Sequence, residues 1–436
     1  MKAVHKLAYV IGSACTSTTF CLVPAQPADP EKRTPGNQRS WTFLSTLIML
    51  LGFALLLAGC ATPAASVNNN ALPFDQAIVS ATDALVQQTH KMTGFLAKVE
   101  AKVEAKVNKR PVVLDPTLDA GSGQQTAATQ YLDRGIAEHM ARNFQQIEVL
   151  PFRASNLSKA QYLLTGTLMR AEGDYRLNLA LIDMKVGQVV AQSSALARQE
   201  GVDMSPLPYY RDSPVLVKDN VIDGYVRTSS TPPGQKADAT YLERIATATV
   251  INDATILYNA SRYQEALGQY RSALATPAGE QIRVLNGIYL SSFKLGQMTE
   301  AEEAFGRVVA YGIAYRQLGV KFLFSPGTTE FWADPKISGA YDMWLRQIAK
   351  EGRVAKVCMG IVGHTSKTGS DAFNNALSLR RAAYIKQRLS TESPEVADRM
   401  RPQGMGFRQN IVGSGTDDLV DAPDRRVEFK ITECPA

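Results

Sequence analysis

The stretch whose reading decides the fold of the C-terminal third runs from Gly363 to Leu389, GHTSKTGSDAFNNALSLRRAAYIKQRL. It continues a strand-like run, VAKVCMGIVGHT, passes through a short polar loop and becomes a helix. Ser370 or Asp371 opens that helix, because a short side-chain oxygen can accept from its first unpaired N–H groups. Arg380 and Arg381 are adjacent on the helix, so they face different directions and are expected to do different things.

Working outward, VKFLF from Val320 reads as a strand, and SPGTTEFWADPKISGAYDMWLRQIAKEG as a loop and an amphipathic helix. Ile337, Tyr341, Trp344 and Ile348 share the apolar face of that helix. After the central loop and helix come a short strand near GMGF and a last one, RRVEFKI. The order β-α-β-α-β-β over residues 318–436 predicts a two-layer sandwich with helices on one face of a mixed sheet.

The residues GHT at 363–365, Gly369, Asn374, Leu377-Ser378, Arg381-Ala382, GMG at 404–406 and RRVEF at 425–429 resemble the OmpA-like peptidoglycan-binding domain, over about residues 318–433. The resemblance implies a pocket for the diaminopimelate side chain of the peptidoglycan stem peptide. Arg381 would hold its carboxylate, since a planar guanidinium makes two parallel hydrogen bonds that lysine cannot reproduce. Asn374 would orient the loop or donate to the ligand, with Thr365 and Ser366 beside it. His364 is expected to be structural and Arg380 a solvated surface charge. The family has aspartate where Ser366 stands, and often asparagine where Asp424 stands. Serine carries no charge to offset an ammonium, so the expectation is weakened wall binding or another ligand. Asp371 is the nearest substitute in sequence, and an aspartate restored at 366 is expected to tighten binding.

The opposite end reads as an export signal. Trp41 to Gly59 is an uncharged apolar run after Arg39, long enough to span a bilayer. Leu57-Ala58-Gly59-Cys60 resembles the lipobox of bacterial lipoproteins, which favours a lipid-anchored thiol at Cys60 over a transmembrane anchor. Several acyl chains on one cysteine give durable anchoring, and Ala61 after it implies the outer membrane, on the periplasmic face. Residues 1–59 are therefore a signal segment, with residues 1–38 read as an over-extended start, and 60–73 a polar tether. Of the five cysteines, Cys358 and Cys434 remain as a pair in an oxidising compartment and are expected to be bridged.

Between the ends, residues 74–200 predict a compact α/β domain. Ile78 to Val107 has helical spacing, PVVLD a buried strand, QTAATQYLDRGIAEHMARNF a helix, and IEVLPF, AQYLLTGTLMR, YRLNLALIDMK and QVVAQSSALA four strands. GSGQQT before the second helix lacks the lysine and spacing of a phosphate loop. This region resembles FlgO, CsgG and TolB amino-terminal domains, which implies a module that binds another envelope protein. Residues 201–238 read as a linker from their Pro, Ser and Asp content. In residues 239–317, Tyr263, Ala266, Tyr270 and Ala273 recur 35 positions on as Met298, Ala301, Phe305 and Val308. That period resembles the tetratricopeptide repeat, either a peptide receptor or a structural connector.

The net charge of +6 over 436 residues is mild, and no basic tract interleaved with aromatics suggests nucleic acid. His90, His139 and His364 lack the spacing of metal ligands, and no nucleophile motif appears. The sequence predicts no metal, no cofactor and no catalysis. It predicts a lipoprotein tied to peptidoglycan by its last domain and supporting a protein partner. The alternative is a scaffold of a secretion or surface-appendage system with a degraded wall pocket.

Overall fold

Three ten-residue runs of apolar, β-branched and small residues meet the requirement of a half-buried strand, and each forms one in the computed structural model. The structure describes residues 70–90, 109–316, 318–325, 327–418 and 420–434. Cys60, its tether up to residue 69 and the helix expected over 91–107 lie outside the described residues.

The first layer system begins with helix α1 (Phe74–His90), strands β1 (Arg110–Leu114) and β2 (Leu118–Asp119), helix α2 (Ala127–Asn143), strand β3 (Ile147–Pro151) and the single turn α3 (Ala154–Leu157). The three long strands follow: β4 (Tyr162–Ala171), β5 (Asp174–Asp183) and β6 (Gln188–Ala197). They form a sheet in the order β3-β1-β4-β5-β6, with β2 on β4. β1 runs parallel to β3 and β4, and β4, β5 and β6 are antiparallel. Helix α2 starts where expected because Thr126 and Thr129 cap it reciprocally. Helices α1 and α2 cover one face through Ile78, Leu85, Leu132 and Ile136. In the loop before α2, the carboxylate of Asp119 takes the Ser122 amide at 2.8 Å. The donors of this loop are thus already taken by a protein carboxylate.

Residues 201–238 are not a linker. They fold into α4 (Pro208–Asp212) and α5 (Asn220–Ser229), and Tyr209, Tyr210, Val215, Val217, Ile222 and Tyr225 are all buried. Helix α5 covers the second face of the first sheet, where the Tyr225 hydroxyl donates to Pro116 O at 2.9 Å and accepts from Gly166 N at 3.0 Å. The turn α6 (Ala239–Glu243) adds Tyr241 to the same face. Composition misled here because turn-forming residues space out aromatics that enter two different cores.

Four helices follow: α7 (Ile245–Asn259), α8 (Tyr263–Leu274), α9 (Ile282–Lys294) and α10 (Met298–Ala314), each packed on the next. The repeated Ala266, Tyr270 and Ala273 and their counterparts Ala301, Phe305 and Val308 are fully buried, while Met298 is exposed.

The last system comprises β7 (Leu318–Val320), α11 (Pro335–Ser338), α12 (Tyr341–Ala355), β8 (Cys358–Gly363), α13 (Asp371–Glu392), α14 (Pro394–Asp398), β9 (Met400–Gly404) and β10 (Val427–Thr432). The sheet order is β7-β10-β8-β9, antiparallel at both flanks of β10 and parallel between β8 and β9. The expected strand at 320–324 is shorter and earlier than predicted, and Phe322 and Phe324 instead turn into the core. Cys358 and Cys434 are disulfide-bonded, fastening the start of β8 to the end of the chain.

The helical layer and this last sheet share one hydrophobic core. Phe305 of α10 stacks on Trp344 of α12, with ring centroids 5.6 Å apart, and the Trp344 indole donates to the Tyr289 hydroxyl at 2.8 Å. Residues 214–216 also extend the sheet beyond β7: Val215 bridges Val320, and Leu216 N donates to Gly319 O at 3.0 Å.

Candidate functional site

Strand β8 ends at Gly363, where a side chain has no room: an added Cβ would lie 2.2 Å from the Ser378 carbonyl of α13. Only glycine lets the helix come this close, and the close approach sets the loop 364–370 against the head of α13. Ser370 caps that helix by accepting from Phe373 N at 3.3 Å. Gly369 has φ +92, a conformation other residues rarely adopt. Asn374, buried on the first turn, donates to Thr368 O at 2.7 Å and to Ser370 O at 3.2 Å, so its amide holds the loop closed. Both the loop and the helix head are local structures that the sequence encodes directly.

Above this loop lies a cleft of about 290 Å³, bounded also by Phe324, Trp332 and Leu377. Thr365, Ser366, Asn374 and Arg381 all line it. Thr365 is buried, and its hydroxyl has no hydrogen-bond partner among the described residues. Arg381 is 5% exposed; its Nε donates to Thr328 O at 3.1 Å and one terminal nitrogen to Ser325 O at 3.3 Å. Its guanidinium lies 4.8 Å from the centre of the Phe324 ring. Burial, and then the neighbouring Arg425, push its pKa down to about 10, while Asp417 works the other way. It remains a cation at neutral pH, and a carboxylate beside it would relieve both strains. Arg380 is exposed, as its position beside Arg381 requires.

The aspartate missing at 366 arrives from another part of the chain. Ser366 Oγ donates to Asp417 Oδ1 at 2.7 Å, and Asp417 pairs with Arg425 at 3.1 Å. Arg425 also donates to the Asp418 carbonyl at 2.6 Å, and Asp417, Asp418 and Arg425 all line the cleft. The loop that carries them is tied down by two buried carboxylates. Asp424 accepts from the amides of Ile411, Val412 and Gly413 at 2.6–3.0 Å, and Asp421 accepts from Asp417 N at 2.9 Å. Asp424 is therefore a loop clamp, with its pKa raised by burial and restrained by those amides.

Asp371, the substitute suggested by sequence, does not line the cleft. It accepts from Asn375 Nδ2 at 2.7 Å and lies 3.8 Å from Arg408. His364 is buried 3.7 Å from Glu428, beneath the loop. Burial alone would raise the Glu428 pKa, but His364 and Arg426 together hold it down at about 2. Among the described residues, no group of three or more His, Cys, Asp or Glu side chains is placed to hold a metal ion. Sequence reasoning thus found the loop, the asparagine and the arginine. It missed Asp417 and Asp418, whose TDD run in a loop without periodicity gives no signal of where it will fold.

The cleft's residue pattern can be set beside known proteins. No family model matches the chain. A stretch of 124 residues, 26% of the chain, is 32% identical to Outer membrane protein A of Escherichia fergusonii, covering 47% of that protein. The same identity over the same length is found with Outer membrane protein A of Escherichia coli O157:H7, covering 33% of it. The chain thus spans less than half the length of these curated relatives. Among solved structures, the peptidoglycan-associated lipoprotein from Burkholderia pseudomallei is similar at 21% identity over 26% of this chain and 89% of that one, with a TM-score of 0.22.

Proposed function

We propose that this chain is a non-catalytic cell-envelope protein that binds peptidoglycan through the cleft above α13. The observation that carries the reading is charge arrangement: Arg381 and Arg425 share a cleft with Asp417 and Asp418 over a partly apolar wall. Diaminopimelate presents a carboxylate and an ammonium on one short side chain, and a cleft with both charge signs suits both ends. Arg381 takes the carboxylate, the Asp417 carboxylate faces the ammonium, and the unpartnered Thr365 hydroxyl is free to bond the ligand. Ser366 acts by orienting Asp417. The similarity to Outer membrane protein A supports a place in the envelope.

The finer parts of the reading are lipid attachment at Cys60, placement at the periplasmic face of the outer membrane, and recruitment of a protein partner by the first domain and the helical layer. With both ends held, each attachment raises the effective concentration of the other, so a weak wall contact suffices. The alternative scaffold reading drew on a pocket without its acid, and Asp417 beside Ser366 removes that reason for preferring it.

Co-sedimentation with purified peptidoglycan tests the proposal. The wild-type chain should pellet with the wall, free diaminopimelate should release it, and Arg381→Ala should stay in the supernatant. Wild-type protein that fails to pellet, or pelleting indifferent to Arg381→Ala, refutes it.

A further inference from the structure

A second cleft, of about 310 Å³, opens where α4, α9 and the α11–α12 region meet. It shares Leu323 and Ile337 with the first cleft as common wall residues. Its charges are lopsided: Arg211, Lys294, Lys321 and Lys336 line it together with a single carboxylate, Asp212. Asp212 is already engaged, at 2.9 Å from both Arg211 Nε and Lys294 Nζ, and it accepts from the Tyr258 hydroxyl at 3.0 Å.

Lys321 is the buried one of the four cations. It is 7% exposed, its ammonium donates to Tyr210 O at 3.0 Å, and no carboxylate among the described residues lies within ion-pair distance. An ammonium has three donors, and burying it without an anion is unfavourable. Burial pushes its pKa down to about 8, with Asp212 only partly opposing. Most of the remaining lining is aliphatic or aromatic, with Leu290, Phe293 and Ile337 among it, beside Ser213, Tyr289 and Tyr341.

We propose that this cleft binds a carboxylate carried on an apolar body, with the Lys321 ammonium as its ion partner and Lys294 and Lys336 at its mouth. The site exists only in the assembled chain, because its cations come from α4, α9, the end of β7 and α11. Its cations are not those of the first cleft, since neither Arg381 nor Arg425 lines it.

The test is calorimetric titration of the full chain with two pairs of probes. One pair is hexanoate and hexanamide; the other is an N-acetylated dipeptide ending in leucine, as free acid and as amide. Both acids should bind and both amides should not, and Lys321→Met should weaken the acids about tenfold or more, as loss of a charge-assisted bond implies. Arg381→Ala should leave this binding unchanged, which separates it from the wall-binding cleft. The tighter of the two acids identifies the source, a free acid or a peptide terminus. Amides that bind as well as acids, acids that fail to bind below about 10 mM, or an unaffected Lys321→Met variant overturn the proposal. If Lys321→Met does not fold, Lys294→Gln with Lys336→Gln, both exposed positions, should weaken the acids severalfold, and no change there overturns it equally.

Discussion

Moving the cleft's acid back to position 366 is the sharpest probe of the site. By sequence alone, Ser366→Asp should tighten wall binding, because it supplies the acid expected at that position. The structure reverses the sign. Ser366 Oγ is 2.7 Å from Asp417 Oδ1, so the substitution replaces a donor with a second carboxylate. Two unit charges 4 Å apart repel by about 4 kcal/mol at an effective dielectric near 20. The Asp417 side chain is 42% exposed, so screening reduces this to roughly 1–2 kcal/mol. The lost hydrogen bond to a charged group adds a similar amount. That energy acts on the free protein by driving Asp417 away from residue 366, so Ser366→Asp should weaken peptidoglycan retention at least tenfold by displacing the ammonium's partner, and Asp417→Ser should weaken it too, by removing that partner. The double variant Ser366→Asp with Asp417→Ser relocates one acid without doubling it, and should recover to within a few-fold of wild type. Quantitative co-sedimentation over a range of wall concentrations reads all four proteins. Tighter binding by the Ser366→Asp single variant, or a double variant no better than either single, would show that Asp417 is not the cleft's acid.

Three further outcomes follow from packing, burial and cross-linking. Gly363→Ala forces a Cβ to 2.2 Å from the Ser378 carbonyl, so it should destabilise the chain by roughly 3 kcal/mol, the upper range for overpacking, read as a lowered denaturant midpoint. Burial raises the Asp115 pKa from 3.8 to about 7, with the Tyr241 hydroxyl and Arg283 only partly opposing. Between those values the folded chain binds more protons than the unfolded one, so this group's contribution to stability falls as pH rises from about 4 to about 7 and levels off above. Denaturation midpoints measured from pH 5 to 8 should show that decline, and Asp115→Asn should reduce it, the remainder belonging to Asp133, whose pKa burial likewise raises to about 7. Reduction of the Cys358–Cys434 bond, which closes a loop across a separation of 76 residues, should lower stability by about 2–4 kcal/mol, seen as an earlier transition in reductant.

The same physics separates what could be read from the sequence from what could not. Hydrophobic period and capping chemistry are local, so β4 to β6, the helix cap at Ser370 or Asp371 and the loop-and-helix motif around Asn374 and Arg381 were legible in the sequence. The aromatic face of α12 was legible too, but what it packs against was not: Trp344 meets Phe305 from a helix expected to belong to a separate unit. Residues 201–238 escaped for a related reason. Tyr209, Val215 and Tyr225 enter their cores from short, irregular segments, and burial without periodicity leaves no pattern along the chain. Asp417 is the clearest case. Its place beside Ser366 depends on Asp421 and Asp424 gripping backbone amides of the same loop, and such contacts exist only once the chain has folded. The sequence by itself determined which arginine and which loop would be presented; only the tertiary structure decided which carboxylate would face them, because a charge partner is chosen by distance in space and not by order along the chain.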